Sequence, residues 1–206
     1  MYIPNYFKQQ NIEEVKRFLH ENSFGILISQ GNDKIAGTHI PMELDTDEHN
    51  NDILIGHIAK ANPQSKNLVN DLEVLAIFNG PHTYISSSWY EQENVPTWNY
   101  IAVHVYGSIK VLEGDALLAL LKKQVDKYEH GAKNPVSVET MSDKTLQQMK
   151  GIVGFSIKVN EIQAACKLSQ NRNERDHLNI AQKLEKRGDV NSLQISEEMK
   201  KNKFKE

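Results

Sequence analysis

The sequence predicts an antiparallel β-barrel with helical decoration, in the mainly β, α+β class. Six or seven short apolar segments are separated by turn residues at short intervals, which is typical of a barrel. The segment Asn99–Leu112 alternates with a two-residue period, and a helix cannot present such a pattern as two coherent faces. A strand–helix alternation is absent, as are G-x-G-x-x-G and G-x-x-x-x-G-K-[ST], so a Rossmann fold is disfavoured.

Four helices are predicted in addition to the strands and to a short helix around Ser65–Val69. Asn11 is a good N-cap with Glu14 three residues later, and Ile12, Val15, Phe18 and Leu19 follow on one face. A long helix is expected over Asp115–His130, and a short one near Leu146–Lys150. The buried side of the long helix is expected to carry Leu117, Leu118, Leu121, Val125 and Tyr128. A last helix, Asp176–Arg187, should stop at Gly188.

The predicted strands are rich in apolar and β-branched residues and end at turn signals. In chain order they are Phe24–Ser29, Ile35–Ile40, Ile53–Ala59, Glu73–Phe78, Tyr84–Ser88, Asn99–Leu112 and Ile152–Val159. Turns are expected at Gly31-Asn32-Asp33, Asn62-Pro63 and Asn79-Gly80-Pro81.

Composition bounds the class of protein and its compartment. The 206 residues are 39% hydrophobic and 25% charged, which suits one globular domain and rules out a disordered chain. A formal net charge of −3 argues against a protein that coats nucleic acid. No apolar run is long enough for a membrane span, no signal peptide is visible, and the single cysteine, Cys166, favours a reducing cytoplasm.

The segment from Gly56 to Lys66 is the first candidate site. A strand leads into a turn and a short helix expected around Ser65–Val69, flanked by Lys60 and Lys66. Free backbone N–H groups at a helix start, two lysines and a serine suit a phosphate dianion. The alternative interpretation is a solvated turn with ordinary lysines.

A second candidate combines hydroxyls with large aromatic side chains. Ser86 lies in the run Tyr84–Tyr90, where hydroxyls can bind phosphate or ribityl groups and rings can flank a planar ligand. Trp98, Tyr100 and His104 share one face of the long strand, which needs cover. A partner subunit, a flat ligand and the chain's own helix at Asp115–His130 are the open alternatives.

A third candidate is the polar run Lys167-Leu168-Ser169-Gln170-Asn171-Arg172. In a strand-to-helix turn it can bind an anion or the edge of a heterocycle, or simply satisfy its own backbone. Metal and nucleophile sites are not expected, because the eight histidines have no ligand spacing and G-x-S-x-G is absent. His57, His104 and Tyr106 are available to assist proton transfer.

Many short segments together resemble the PaiB family, from the first residue to about Arg187. They include Met1-Tyr2-Ile3-Pro4, Gly56-His57-Ile58-Ala59, Ala61-Asn62-Pro63-Gln64, Asn79-Gly80-Pro81-His82-Thr83-Tyr84-Ile85-Ser86, Val95-Pro96-Thr97-Trp98-Asn99-Tyr100, Val103-His104-Val105-Tyr106-Gly107 and Lys167-Leu168-Ser169-Gln170-Asn171-Arg172. The resemblance implies an FMN-binding split β-barrel, like pyridoxamine-phosphate oxidases and flavin reductases. It also implies a cytoplasmic homodimer with the flavin between subunits, and negative regulation of sporulation and degradative-enzyme genes.

The resemblance also implies domain limits and ligand contacts. An FMN-binding split-barrel domain is expected over 1–172 and a C-terminal helical extension over 173–206. Phosphate contacts are expected from Lys60, Ser65 and Lys66, with Ser86 nearby. Ring contacts are expected from Trp98 and Asn99. The segment Ser169-Gln170-Asn171-Arg172 of the partner chain is expected to reach the same flavin. The full expected set is His57, Lys60, Asn62, Ser65, Lys66, Ser86, Trp98, Asn99, Lys167, Ser169, Gln170, Asn171 and Arg172.

Two departures from the family pattern concern flavin affinity. Ala164-Ala165 stands where family members often have Gly-Lys, which removes one charge from an anion site, and Ser87 stands where proline is frequent. The rival functions are a flavin-dependent oxidoreductase of a small substrate, and a flavin-free or heme-binding module on the same scaffold. DNA contact, direct or indirect, is an expected part of regulation, and the absence of a helix-turn-helix pattern favours an indirect one.

Overall fold

The structure, a computed structural model, describes residues 1–31 and 34–202. These residues form two compact units. The first unit contains Met1–Phe18, Asn79–His104 and residues 163–202, and the second contains Leu19–Phe78 and Val105–Ile162. Asn32 and Asp33 of the predicted turn lie outside the described residues.

Six antiparallel strands close into a barrel, so the predicted fold class is confirmed. The strands are β1 (Phe24–Gln30), β2 (Ile35–Thr46), β3 (Asp52–Ala59), β4 (Glu73–Ile85), β5 (Thr97–Leu112) and β6 (Ile152–Lys167). Their order around the barrel is β1-β2-β3-β6-β5-β4. Leu44 lies opposite Leu54 in the β2–β3 pair, and Ile55 lies opposite Ser156 in the β3–β6 pair.

Side chains that point inward fill the core of the second unit. Along β1 the burial alternates strictly, as expected for a strand with one face on the core. The fully buried residues of this unit are large and apolar, and they include Leu27, Met42, Leu54, Phe78, Phe155 and Ile157. Burial of such side chains contributes roughly 1.5–3 kcal/mol each, which makes this core the main stabilising feature of the unit.

The helices are α1 (Ile12–Glu21), α2 (Gly114–Glu129), α3 (Asp143–Leu146), α4 (Glu174–Arg187) and α5 (Val190–Lys201). The Asn11 side chain accepts a hydrogen bond from the backbone N–H of Glu13 at 3.0 Å, which confirms the predicted cap. Gly188 adopts a left-handed conformation with φ of 77°, which confirms the predicted stop of α4.

The predicted buried side of α2 is wrong in part. Leu117 is buried, but Leu118 and Tyr128 are exposed, and the buried stripe continues through Leu120 and Gln124. Tyr128 instead packs at the helix end, where its hydroxyl donates to the buried carboxylate of Glu43 and lies 2.8 Å from the hydroxyl of Ser23. This polar anchor, rather than an apolar stripe, fixes the end of α2.

The predicted strand Glu73–Phe78 and the first two residues of the predicted strand Tyr84–Ser88 belong to one continuous strand, and Ser87 and Ser88 lie in a 3₁₀ helix instead. β4 runs from Glu73 to Ile85, so the turn predicted at Asn79-Gly80-Pro81 is wrong. A Cβ on Gly80 would lie 2.6 Å from the Phe18 ring. The glycine therefore serves close packing in an extended strand rather than a turn. β6 similarly extends to Lys167, eight residues beyond the predicted end at Val159.

Helices α4 and α5 form a hairpin that shares the apolar core of the first unit. Ile180, Leu184, Ile195 and Met199 are fully buried there. The core also contains residues of β4, β5 and β6, namely Ile85, Ile101 and the adjoining Leu168. Helix α5 was not predicted from the sequence. The domain boundary between residues 172 and 173 stays a prediction.

Candidate functional site

The first candidate site, in the second unit, is the turn that follows β3. A five-residue 3₁₀ helix spans Pro63–Asn67, so the short helix predicted over Ser65–Val69 begins and ends two residues too late. Asn62 starts it by accepting a hydrogen bond from the backbone N–H of Gln64 at 2.9 Å, and Pro63 occupies the first helical position. Asn62 also donates to the hydroxyl of Thr38 at 2.9 Å.

Gln64 holds this turn against the barrel. Its side chain is 3% exposed and donates to the backbone carbonyl of Leu27 at 3.1 Å and to the hydroxyl of Ser29 at 2.9 Å. The Thr38 hydroxyl donates to the Gln64 carbonyl oxygen. Buried polar groups with their hydrogen bonds satisfied specify one geometry, so the backbone of the turn is fixed. Sequence reasoning missed Gln64, whose only signal was its place after Asn62-Pro63.

Lys60 and Lys66 make this turn cationic. Both are exposed, and no carboxylate of the described residues lies within ion-pair distance of either. Ser65 lies between them in sequence, but it is buried and its hydroxyl donates to the carbonyl of Lys60 at 3.0 Å. We name Lys60, Asn62, Ser65 and Lys66 the lysine turn. Two uncompensated ammonium groups on a fixed backbone suit a phosphate dianion.

His57 is positioned by helix α2 within the same unit. Its Nδ1 lies 2.8 Å from Oε1 of Gln124, and the ring is half-buried. The Gln124 side chain is 5% exposed, so the imidazole is oriented by a buried amide. Gln124 was not identified from the sequence, because it lies within an amphipathic helix and no local motif marks it as a site residue.

An exposed aromatic surface lies in the first unit. Trp98 is 53% and Tyr84 is 40% exposed, and their ring centroids are 6.0 Å apart with the planes at 69°. The exposed ring of His82 lies 6.3 Å from Trp98. We name Trp98, Tyr84 and His82 the aromatic surface. Such a surface suits a planar ring or a partner subunit.

Ser86 and Asn99 of the same unit have local structural partners. The Ser86 hydroxyl caps the 3₁₀ helix Ser87–Trp89 and lies 2.9 Å from the hydroxyl of Ser88. Asn99 is fully buried, and its amide exchanges hydrogen bonds with the Ser169 hydroxyl at 3.0 and 3.1 Å. In this conformation Asn99 links β5 to the turn after β6 and offers no polar atom to a ligand.

The run Lys167–Arg172 is the predicted strand-to-helix turn. Ser169 adopts a φ of 59°, and its carbonyl accepts from the backbone N–H of Arg172 at 3.0 Å. The Gln170 side chain folds back to donate to the Cys166 carbonyl at 2.6 Å and to accept from the Leu168 N–H at 2.7 Å. Most of the turn therefore satisfies its own backbone. Asn171 is exposed, whereas Lys167 and Arg172 are half-buried.

Lys167 and Arg172 concentrate positive charge in this turn. The Lys167 ammonium donates to Thr97, and the Arg172 guanidinium lies 4.9 Å from the centroid of the Tyr90 ring. Burial, and then the charge of Arg172, hold the pKa of Lys167 below its usual value. Sequence reasoning missed His177, whose ring nitrogens lie 3.3 Å from the Ser169 carbonyl and 3.2 Å from the Met199 carbonyl.

The predicted site residues thus fall into two sets. His57, Lys60, Asn62, Ser65 and Lys66 belong to the second unit. The other eight belong to the first unit and are Ser86, Trp98, Asn99, Lys167, Ser169, Gln170, Asn171 and Arg172. In the second unit, the Ser65 hydroxyl hydrogen-bonds to the Lys60 carbonyl. In the first unit, the side chains of Asn99 and Ser169 hydrogen-bond to each other.

His104 predicts a pH dependence of stability. Burial, and then the positive amino group of Met1, hold the pKa of the His104 imidazole below 6.5. Below about pH 6.5 the unfolded chain takes up this proton more readily than the folded protein, so the histidine's stabilising contribution is present above that pH and lost below it. In urea unfolding at pH 7.5 and 5.5, the wild type should lose more free energy of unfolding on acidification than His104→Gln. Equal losses would contradict this assignment.

Metal and membrane features are absent from the part of the chain that the structure describes. Residues 1–31 and 34–202 contain no group of three or more His, Cys, Asp or Glu side chains that could hold a metal ion. Within the same residues, none of the helices combines the length and the apolar character needed to cross a membrane.

The family and the fold of this chain are shown by its similarity to known proteins. Residues 1–161 match the family described as "Putative FMN-binding domain", so the chain belongs to this FMN-binding family. The predicted cofactor, FMN, is thereby confirmed. A relative from Bacillus subtilis (strain 168), named "Protease synthase and sporulation protein PAI 2", is 48% identical over 201 residues. The match covers 97% of this chain and 96% of that protein, and it confirms the resemblance to the PaiB family.

Two solved structures share the fold at low sequence identity. The FAD and heme binding protein from Mycobacterium smegmatis is 11% identical with a TM-score of 0.61, over 78% of this chain and 73% of that chain. The flavocytochrome Anf3 from Azotobacter vinelandii is 16% identical with a TM-score of 0.61, over 86% of this chain and 78% of that chain. They confirm the split-barrel type of architecture.

Proposed function

We propose that this chain is a cytoplasmic, homodimeric FMN-binding protein that negatively regulates sporulation and degradative-enzyme genes. The observation that carries its flavin-binding part is the lysine turn, where two lysines without carboxylate partners stand on a backbone fixed by Gln64. The regulatory part is supported by the 48% identical relative, whose name refers to protease synthesis and sporulation.

The FMN contacts follow from which predicted residues remain accessible. Lys60 and Lys66 neutralise the phosphate, with Asn62 and Ser65 holding the backbone between them. Trp98 and its neighbours in the aromatic surface flank the isoalloxazine ring. His57, which is oriented by Gln124, and Ser86 are proposed as further contacts to the flavin. The contribution of residues 169–172 from a partner chain stays a prediction.

A homodimer accounts for the aromatic surface. Trp98 and Tyr84 expose large apolar rings side by side, and water is a poor solvent for such a pair. In a dimer that shelters a flavin, this surface is covered by the ligand and by the second copy. We expect Trp98→Ser to weaken both FMN binding and dimerisation, whereas Tyr2→Ser, at an 88% exposed ring, should change neither.

Regulation is proposed to be indirect, because the chain is acidic. A net charge of −3 gives no general attraction to the phosphate backbone of DNA. The FMN-loaded protein should therefore produce no mobility shift with promoter fragments of sporulation and protease genes at 50 mM salt. A shift that weakens as salt rises would contradict indirect action and indicate direct repression.

Deletion of the gene tests the regulatory role itself. Reporters for secreted proteases and early sporulation genes should rise in the deletion strain and return to the wild-type level on complementation. A Lys60→Gln/Lys66→Gln gene should complement poorly if flavin is needed for regulation. Reporter levels that do not change on deletion would contradict the regulatory part of the proposal and leave the flavin-binding part intact.

A further inference from the structure

The outer surface of the barrel in the second unit exposes a row of apolar side chains. Along β1, Leu27 and Ser29 are buried in the core. Phe24, Ile26 and Ile28 alternate with them, so their side chains lie on the outer surface of the strand. Phe24 is 65% exposed, and the other two are half-buried. An outward row of this kind is normally polar in a sheet with one solvated face.

The neighbouring strands continue this row on both sides. On β4, Ile77 lies opposite Ile26, and Leu75 lies opposite Ile28. On β2, Ile35 is paired with the last residue of β1 and is 68% exposed. We name the apolar face by its six residues, Phe24, Ile26, Ile28, Ile35, Leu75 and Ile77.

The backbone of the apolar face is already satisfied. The central strand, β1, is paired with β2 along one edge and with β4 along the other. Its N–H and C=O groups therefore belong to the sheet ladders and ask nothing of a partner. Covering the face removes apolar side chains from water without stranding a backbone polar group.

The chemistry of the face selects an apolar partner. Its six side chains carry neither a charge nor a hydrogen-bonding group. The ring beside them is that of His39, which lies opposite Ile26 and stacks on Phe24 with the centroids 6.3 Å apart. Nucleic acids and charged peptides are bound through complementary charge, which these side chains do not supply. A second copy of the same face meets no like-charge repulsion from them.

The exposed area suits a dimer contact. From the exposed fractions of Phe24 and Ile35 and the half-buried state of the other four, the face leaves apolar area on the order of 300–400 Å² open to water. A standard interface covers about 800 Å² per partner, of which roughly 60% is apolar. The apolar face therefore supplies most of the apolar area that one partner of a stable dimer needs.

We propose that the apolar face is a contact between two copies of this chain, and that it joins them without FMN. The two copies of the face meet across a two-fold axis, sheet against sheet, so that each covers the other. The proposal rests on the proposed homodimer and names a surface for it in addition to the aromatic surface.

Independence from FMN follows from the residues of the face. None of them is among the expected flavin contacts, and the burial of apolar side chains needs no ligand. The apoprotein should therefore already be a dimer. Sedimentation velocity of flavin-free wild type at low micromolar concentration should show one species of about twice the 23.5 kDa chain mass. An apoprotein that is a single chain and dimerises only with FMN would overturn the proposal.

A charged variant tests the surface itself. Phe24→Asp/Ile35→Asp places two carboxylates on each copy at positions that are exposed in the single chain, so the fold should tolerate them. Juxtaposed like charges cost several kcal/mol, so the dimer dissociation constant should rise roughly 100-fold or more. The midpoint of urea unfolding, measured where both proteins are single chains, should stay close to that of the wild type.

The matched control introduces the same charge elsewhere on the same unit. Val69→Asp/Val136→Asp also replaces two exposed apolar side chains, which are 58% and 47% exposed and lie outside the face. It should dimerise within about twofold of the wild type, since distant charges are screened at physiological salt. Equal losses in both variants would show that added charge, rather than this face, opposes the dimer.

Mixing oppositely charged variants excludes a simple folding defect. Phe24→Lys/Ile35→Lys should be a single chain by itself, like the Asp variant. An equimolar mixture of the two should form a heterodimer, because the face of one chain then meets the opposite charge on the other. A mixture that stays as single chains would contradict a contact between two copies of this face.

These measurements separate this proposal from the proposed function. If the wild type is a dimer and the Asp variant dimerises like the control, this face is wrong and the homodimer stands. If the wild type is a single chain with and without FMN, both the face and the homodimer are wrong. The flavin-free Lys60→Gln/Lys66→Gln variant should remain a dimer, because its changes lie in the lysine turn. Its dissociation would contradict a contact that is independent of the flavin site.

Discussion

Replacing Lys60 and Lys66 together by glutamine is expected to weaken FMN binding by roughly 10- to 100-fold. A charge-assisted hydrogen bond contributes about 1.5–3 kcal/mol, and about 1.4 kcal/mol corresponds to a factor of ten. Both ammonium groups are exposed, so solvent screening reduces the combined free energy of the two hydrogen bonds. The expected loss of affinity is therefore smaller than two full charge-assisted hydrogen bonds would give. Quenching of flavin fluorescence on titration measures the dissociation constant.

The control for this variant has the same change in charge. Lys110→Gln/Lys158→Gln also removes two exposed lysines of the second unit without an ion-pair partner among the described residues. It should leave the dissociation constant within about twofold of the wild type, since long-range electrostatics alone is screened at physiological salt. Equal losses in both variants would show that net charge, rather than the lysine turn, holds the phosphate. Unchanged affinity in the Lys60/Lys66 variant would place the phosphate elsewhere.

Replacing Gly107 by alanine is expected to destabilise the second unit by about 1–3 kcal/mol or more. A Cβ on Gly107 would lie 2.1 Å from the backbone carbonyl oxygen of Lys158 and 2.7 Å from the Ile157 side chain. The first neighbour is backbone, so it cannot move aside as a flexible side chain would, and the two strands must separate locally. Urea unfolding should show a lower midpoint with an unchanged slope.

Gly37→Ala is the matched control in the same barrel. A Cβ there would meet Ile26 at 3.6 Å, which is ordinary van der Waals contact, and Gly37 is exposed on β2. Its effect on the free energy of unfolding should be within about 1 kcal/mol of zero, with a tendency to stabilise because the unfolded chain loses freedom. A Gly107→Ala variant as stable as Gly37→Ala would mean that β5 and β6 do not approach as closely as described.

The sequence predicts well where a local pattern decides the structure. On β5, Val103, Val105 and Ile109 are buried on one face while Tyr106 and Ser108 of the other are only half-buried, as the two-residue period requires. Gly188 and Asn11 likewise act through their own backbone or cap, so no distant residue is needed to identify them.

Prediction fails where a distant contact overrides the local signal. Asn79-Gly80-Pro81 has the composition of a turn, yet the Phe18 ring packs on Gly80 in an extended strand. The sequence does not show the apolar helical pattern expected for α5, because two of its buried positions are Ser192 and Ser196. Their hydroxyls reach partners far away in sequence, the hydroxyl of Thr83 and the carbonyl of Ala181, both at 3.0 Å.

The candidate site residues were likewise predictable in part. The type of chemistry was predictable, because lysines, amides and aromatic rings occur in short runs around Lys60 and Trp98. The accessibility of each side chain was not. Asn99 reads as a ligand contact beside Trp98, but its amide is buried against Ser169. Only the packing of α4 and α5 reveals this, since His177 and Met199 complete its surroundings.

Sedimentation velocity recorded at the flavin absorption band tests the central claim most directly. The claim is that two copies of this chain hold FMN between them. With FMN present at one equivalent per chain, the yellow boundary should move with a species of about twice the 23.5 kDa chain mass. Flavin that stays unsedimented, or that moves with a single chain, would contradict the account.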